Sequence, residues 1–233
     1  MKFPILLPNI FNHPFTYESD LNLKVGDYVV VPFGKSKITG VVWDEFEKKN
    51  NKNFKIRTVL KKLNVTPLKK TTIKFLNWFA EYNIIPMGMT LKLVLLSSNA
   101  IENLQKDVFK IFNNSVGANK IKLSEEQKKS LKKMNFSNEK FRVHVLQGTT
   151  GSGKTMVYFS ALKDVIDKGF QGLILLPEIG LTSQFEKKFL EFFGITPAIW
   201  HSGISKKKKE VIWSGIANGD IKVVIGARSS LFL

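Results

Sequence analysis

Residues 143–155 read Val143-His144-Val145-Leu146-Gln147-Gly148-Thr149-Thr150-Gly151-Ser152-Gly153-Lys154-Thr155, an apolar run feeding a glycine-rich turn that ends in lysine and threonine. The run 143–147 has the density of a buried strand, and 148–155 match G-x-x-x-x-G-K-[ST] at every defining position. A strand, a glycine-rich turn and a helix in that order form a seat for phosphate. The glycines let backbone amides turn inward around phosphate oxygens, and the helix N-terminus adds positive potential. Gly148, Thr149, Thr150, Gly151, Ser152 and Gly153 supply the cradle. Lys154 reaches the β- and γ-phosphates of a nucleotide such as ATP, and the Thr155 hydroxyl is placed for Mg²⁺. A glycine-rich turn with a chance lysine is the plain alternative, and the agreement of all positions with their context weighs against it.

Downstream, helical stretches (155–168, 181–193, 206–218) alternate with short apolar runs (173–176, 198–201, 223–225). This alternation predicts a parallel sheet with crossover helices. Upstream, Leu123-Ser124-Glu125-Glu126-Gln127 reads as a capped helix start. Three segments lie just past predicted strands, where open α/β sheets place ligands. They are Leu176-Pro177-Glu178-Ile179-Gly180-Leu181-Thr182-Ser183-Gln184, His201-Ser202-Gly203, and Ile225-Gly226-Ala227-Arg228-Ser229-Ser230-Leu231-Phe232. Thr182, Gln184, His201, Ser202, Arg228 and Ser229 are their candidate contacts to something running along the sheet edge. The four lysines 206–209 read first as a solvated helix start and second as a DNA-phosphate contact.

Toward the N-terminus, residues 25–33 and 38–43 flank Gly34-Lys35-Ser36, a loop with hairpin chemistry, and residues 54–63 alternate apolar and basic. A small antiparallel sheet or barrel is expected. Thr66-Pro67 reads as an N-cap and first helical position. Leu68, Thr72, Phe75, Leu76, Phe79 and Tyr82 then recur at helical spacing, predicting one apolar stripe that packs on the sheet. A second apolar segment covers 87–96. The polar stretch 97–122, containing Asn113-Asn114-Ser115-Val116-Gly117, is read as the linker. The expected division is a first domain at 1–98, a linker at 99–122 and a second domain at 123–233.

The 233 residues suit two compact domains, and 43% hydrophobic with 24% charged residues is a globular composition. Thirty-six basic against 19 acidic residues give +17, spread as +8 over 1–98, +4 over 99–140 and +5 over 141–233. A polyanion such as nucleic acid is the expected partner, ahead of an anionic membrane surface. A lysine- and asparagine-rich coding bias gives the same charge without binding. With no cysteine there is no disulfide, thiol catalysis or thiolate zinc, and His13, His144 and His201 are too scattered for a metal cluster. No metal site wholly within the chain is expected. The apolar runs are far shorter than the ~18–20 residues of a membrane span, and the N-terminus does not read as a leader, so a cytoplasmic protein is expected.

Taken in order, the loop 148–155, the segment 177–184, the turn His201-Ser202-Gly203 and the segment 226–232 resemble the PriA family. These are bacterial replication-restart helicases, also called primosomal protein N′, of superfamily 2. Pro14-Phe15-Thr16-Tyr17, Val31-Pro32-Phe33-Gly34-Lys35 and the Lys55 strand look like that family's 3′-DNA-binding domain. The resemblance covers residues 3–98 and 123–233. It implies an α/β chain in which a small β-rich 3′-DNA-binding domain precedes part of a RecA-like P-loop lobe built on a parallel sheet. It also implies ATP and Mg²⁺ as cofactors, and forked and single-stranded DNA with a free 3′ end as partner. Primosome and single-strand-binding proteins would be further partners. Residues matching Phe15, Tyr17, Gly34 and Lys55 form the family's pocket for a terminal nucleotide. Aromatic stacking suits that task, at roughly 1–3 kcal/mol per base. Thr16 stands where the family commonly has an acidic residue, and Lys35 and Lys37 are the neighbouring cations.

Two departures shape the expectation further. The family's winged-helix region exceeds the 24 residues between Ser98 and Leu123, so it is expected to be largely missing. The Asp-Glu-x-His box, the later helicase motifs, the zinc module and the second lobe would all lie after Leu233. Nucleotide binding without unwinding is therefore expected of these residues alone. A non-enzymatic DNA-binding adaptor with a vestigial ATP site is the rival from another class. A restriction-type or chromatin-type translocase is the rival enzyme, and the segments 14–17 and 31–35 speak against it.

Overall fold

The computed structural model describes residues 1–44, 56–95, 101, 123–134, 141–177 and 183–233. The chain divides into two compact units, one of residues 1–108 with 206–218 and 232–233, the other of residues 109–205 with 219–231.

The first unit is built on a curled sheet of β1 (Lys2–Leu6), β2 (Phe15–Glu18), β3 (Tyr28–Phe33), β4 (Ser36–Val42), β5 (Arg57–Thr58) and β6 (Lys61–Lys62). Their spatial order is β5-β2-β1-β4-β3-β6. All neighbours are antiparallel except β2 and β5. The predicted hairpin is present: Phe33 pairs with Ser36 across the two-residue loop Gly34-Lys35. Gly34 has φ +61°, the glycine-first arrangement of a II′ turn whose twist suits the flanking strands. The expected strand over 54–63 resolves into the two short strands β5 and β6, and residues 54–55 lie outside the described residues.

Period-two alternation gives this sheet two apolar faces. Leu6, Tyr28, Val41 and Trp43 pack on one side with Ile73, Leu76, Leu91 and Val94. Ile5, Leu7, Val29, Val31 and Val42 pack on the other with Tyr17, Leu23 and Val59. The helices on the first side are α1 (Lys70–Asn83) and α2 (Met87–Val94). Trp43 donates its indole N–H to Asn77 Oδ1 at 3.2 Å, joining sheet to helix. Trp213 and Phe232 belong to the same cluster, with Trp213 edge-on to Tyr28 at 6.3 Å. Burial there pushes the Tyr28 phenol up to about 12.

Two expectations about α1 are corrected. The helix starts at Lys70 after an N-cap at Lys69 that makes no side-chain cap bond, so Thr66 is not the cap. The Leu68 N–H donates to Gly26 O at 2.9 Å, which holds residue 68 against the turn that precedes β3 and delays the helix. The buried stripe is Ile73, Leu76 and Ala80 rather than one running to Tyr82, which is exposed.

The second unit holds the parallel sheet β7 (Gly172–Leu175), β8 (Ala198–Trp200) and β9 (Val223–Gly226), in the order β7-β9-β8. Its chain also forms α3 (Glu125–Lys133), α4 (Lys154–Asp167) and α5 (Ser183–Phe193), with α6 (Lys206–Asn218) between β8 and β9 in sequence. Phe159 of α4 is the hub of its core. Its ring lies 5.4–5.6 Å from those of Phe185, Phe189, Phe192 and Phe193. Residues 143–147 are not a strand, which corrects the sequence reading; Val143 and Val145 are exposed. An extended run becomes a strand only when another backbone takes its N–H and C=O groups, and among the described residues none pairs with it. Among the described residues, no helix is long and apolar enough to cross a membrane.

Gly26 sits at φ +94°, and a Cβ there would lie 2.2 Å from Leu68 O. Gly26→Ala is expected to destabilise the first unit by about 2 kcal/mol or more, seen as a lowered urea midpoint. Gly169→Ala, at φ +87° with nothing within 4 Å, carries only the backbone strain of roughly 1–2 kcal/mol.

Candidate functional site

The glycine-rich loop enters α4 with Gly151 at φ +85° and Gly153, the N-cap, at φ +81°. Nothing lies within 4 Å of where a Cβ at Gly151 would be, whereas Ser152 Oγ would meet one at Gly148 at 2.7 Å. The first turn of α4 leaves the Lys154 and Thr155 N–H groups without partners inside the helix, while the Met156 N–H donates to Gly153 O at 3.0 Å. Lys154 folds back over the loop and donates to Gly148 O and Thr149 O, both at 2.7 Å. Thr155 Oγ1 accepts from the Tyr158 hydroxyl at 3.3 Å. A cation, a hydroxyl and an open glycine cradle at one helix start fit a nucleotide's phosphates with Mg²⁺. Among the described residues, no group of three His, Cys, Asp or Glu is placed to hold a metal ion.

Gln127 also belongs to this site. Ser124 Oγ accepts from its backbone N–H at 3.2 Å, and its Oε1 accepts from the Ser124 N–H at 2.9 Å, closing a capping box on α3. Its Nε2 donates to Ser152 O and Gly153 O, both at 3.4 Å. A Cβ at Gly153 would meet that nitrogen at 2.2 Å. The sequence carried the signal only as a helix start at 124–127; the reach to the loop, 25 residues on, was not legible.

Parallel pairing aligns the C-terminal ends of the second unit's strands, with Leu175 and Trp200 both opposite Gly226. His201 and Arg228 therefore emerge at one sheet edge. His201 Nδ1 accepts from the Gly203 N–H at 3.1 Å. Ser202, Arg228 and Ser229 are exposed there, and Gln184 is exposed in the first turn of α5. Thr182 lies outside the described residues.

In the first unit, Phe15 and Tyr17 share one face of β2, and Thr16 faces the other way, paired with Pro4. The half-buried Phe15 is edge-on to Phe33 at 5.3 Å and to the exposed Phe11 at 5.3 Å, with the His13 ring at 4.9 Å. Tyr17 is buried beneath, its hydroxyl donating to Pro32 O at 3.0 Å. Next to Phe33, Gly34 turns the chain and accepts from Arg57 Nη1 at 2.9 Å. Lys35 and Lys37 are exposed on the same hairpin. Lys55 lies outside the described residues, and Arg57 is a cation that bonds this turn.

Phe11, Phe33 and Arg57 were missed as site residues in the sequence because their placement is long-range. Phe11 is fixed by α2: Gly88 donates its N–H to Phe11 O at 3.0 Å, and Asn12 Oδ1 accepts from the Met87 N–H at 3.0 Å. Asn9 Oδ1 accepts the Phe11 N–H at 2.9 Å. A Cβ at Gly88 would lie 2.6 Å from Leu7 O, so only glycine admits this close approach.

Two families match the chain. One, described as 3'DNA-binding domain (3'BD) of PriA, covers residues 4–96. The other, described as type III restriction enzyme, res subunit, covers residues 120–233. Among curated proteins, the chain is 39% identical over 234 residues to the replication restart protein PriA of Rickettsia conorii, covering 98% of this chain and 35% of that protein. The corresponding protein of Helicobacter pylori is 29% identical over 94% of this chain and 33% of its own length. That of Bacillus subtilis is 36% identical over 47% of this chain and 14% of its own length. The chain spans about a third of the length of the first of these relatives.

Burial holds the Tyr17 phenol above its ordinary value, and the Arg57 guanidinium pulls it partly back. Arg57→Ala is therefore expected to raise the Tyr17 pKa further, measured by ultraviolet titration of the phenolate against a Tyr17→Phe control. The Tyr17 contribution to stability is present below the free phenol's pKa and is lost as pH rises through the folded value.

Proposed function

We propose, on the premise that the chain belongs to the PriA family of replication restart proteins and matches the N-terminal part of its members, that it binds forked and single-stranded DNA at a free 3′ end and holds ATP with Mg²⁺ in the loop 148–155. In the complete protein this serves ATP-driven 3′-to-5′ movement on DNA and primosome assembly, in the cytoplasm, with primosome and single-strand-binding proteins as partners. The observation that carries the reading is the aromatic corner of Phe11, Phe15 and Phe33 beside the Gly34 turn and Arg57.

The corner suits a strand terminus on physical grounds. Rings set edge to face leave a face for a base, which stacks whatever its identity. Tyr17 supports the turn through Pro32, Arg57 offers a charge to a phosphate, and Lys35 and Lys37 add sequence-independent attraction. Thr182, Gln184, His201, Ser202, Arg228 and Ser229 would contact DNA along the sheet edge. At the loop, Lys154 would exchange its two carbonyl partners for phosphate oxygens and Thr155 would hold Mg²⁺, while Gln127 holds the Ser152–Gly153 backbone in place. Bound ATP and Mg²⁺ supply the phosphoryl chemistry.

Fluorescence anisotropy with forks ending in a 3′-hydroxyl or a 3′-phosphate tests the pocket. The hydroxyl fork is expected to bind more tightly. Phe15→Ala and Phe11→Ala should each cost roughly 1–3 kcal/mol and erase the preference, while Lys35→Ala and Lys37→Ala weaken both forks alike. Equal affinity of the unsubstituted chain for both ends overturns the 3′-end reading. In calorimetry, Lys154→Ala is expected to abolish ATP binding and to leave DNA affinity unchanged.

A further inference from the structure

Tyr158 stands one turn into α4, three residues after Thr155, with its hydroxyl 3.3 Å from Thr155 Oγ1. Helical side chains lean toward the helix N-terminus, so residue 158 covers the turn that carries Lys154 and Thr155. The ring is held from its other side. It is half-buried against the aromatic core of the second unit and meets the Phe159 ring edge-on, with centroids 5.2 Å and planes 89° apart. A tyrosine has few rotatable bonds, so packing the ring also fixes where its oxygen lies. A phenylalanine would fill the same space in that core, and what the hydroxyl adds is the bond to Thr155. A threonine inside a helix ordinarily turns its hydroxyl back to a carbonyl three or four residues earlier. Here those carbonyls belong to Ser152 and Gly151, and among the described residues the partner of Thr155 Oγ1 is Tyr158 instead.

We propose that Tyr158 is a positioning residue for Mg²⁺ at Thr155, an inference that rests on the reading of residues 148–155 as an ATP site. A hydroxyl has one proton and two lone pairs. When one lone pair faces a cation, the proton is directed away from the charge and needs an acceptor. The Tyr158 oxygen, already within hydrogen-bond reach, is the acceptor at hand. Without the cation, Tyr158 donates to Thr155. With it, the two hydroxyl protons turn about their C–O bonds, so that Thr155 donates and Tyr158 accepts while both oxygens stay where they are. Partners of this kind orient a metal's ligands and make them better donors of electron density. Tyr158 therefore acts on the cation only through Thr155.

The test is calorimetric titration of the 233-residue chain with ATP, once in EDTA and once in excess Mg²⁺. Four proteins are compared: the parent, Tyr158→Phe, Thr155→Ala and the double variant. Tyr158→Phe keeps the ring against Phe159 and removes one oxygen, so its thermal melting should match the parent's. It is expected to weaken ATP binding about three- to tenfold in Mg²⁺, the worth of one hydrogen bond, and to leave the affinity in EDTA unchanged. Thr155→Ala should remove the gain that Mg²⁺ brings, and Tyr158→Phe should then cost nothing further. The proposal is overturned if Tyr158→Phe loses affinity equally in both buffers, which would make the residue a packing element, or if it loses none in either. A Mg²⁺-dependent loss that persists on top of Thr155→Ala overturns it as well. A parent that binds ATP equally well in both buffers overturns the role of Thr155 and this proposal with it, and leaves the ATP site standing. A parent that binds no ATP in either buffer overturns the ATP reading itself, and the proposal falls with it.

Discussion

A backbone crossing at Gly26 governs the first unit. Gly26 donates its N–H to Val42 O at 2.8 Å and accepts from the Leu68 N–H at 2.9 Å, in a space that admits no Cβ. One residue on, the buried Asp27 accepts from Lys62 Nζ at 2.6 Å and from the Lys24 N–H at 2.7 Å. Together they tie the start of β3 to the end of β4, to β6 and to the approach of α1. Because residue 68 is held against the turn at Gly26, α1 begins at Lys70. Its inward residues become Ile73, Leu76 and Ala80, and Trp78 and Tyr82 are turned to water. A contact made by a glycine far from it in sequence thus sets where α1 begins.

What was legible in the sequence was local. The hairpin at Gly34-Lys35 followed from turn chemistry between two β-rich runs, and β7, α4, α6 and β9 followed from periodicity. The loop at 148–155 was legible because its glycines and Lys154 act within eight consecutive residues. What was not legible depends on backbone brought from elsewhere. Thr66 has the chemistry of a cap, yet a hydrogen bond from Leu68 to Gly26 moves the helix start. Residues 143–147 have the composition of a strand, and composition cannot supply a ladder partner.

The candidate site divides along the same line. Phe15 and Gly34 carried their signal in short segments, but Phe11 gains its place from α2 through Gly88 and Asn12. Arg57 reaches Gly34 across 23 residues. Gln127 reaches the glycine-rich loop across 25 and 26 residues, using the amide that remains after its carbonyl oxygen has closed the capping box. A side chain with two functional ends joins a helix cap to a ligand loop, and a pattern search finds only the first.

The folded-back Lys154 has a consequence for how the loop discriminates among anions. Its ammonium already holds two carbonyl oxygens at 2.7 Å, so an arriving phosphate must compete with an internal ligand of fixed effective concentration. The net gain is the difference between a charge-assisted bond to an oxyanion and one to a neutral carbonyl, and not the full strength of either. A singly charged anion offers little over the resident carbonyls, whereas a polyphosphate offers several oxyanions at once. In the proposed ATP-binding role, the loop would thereby answer to highly charged anions ahead of singly charged ones.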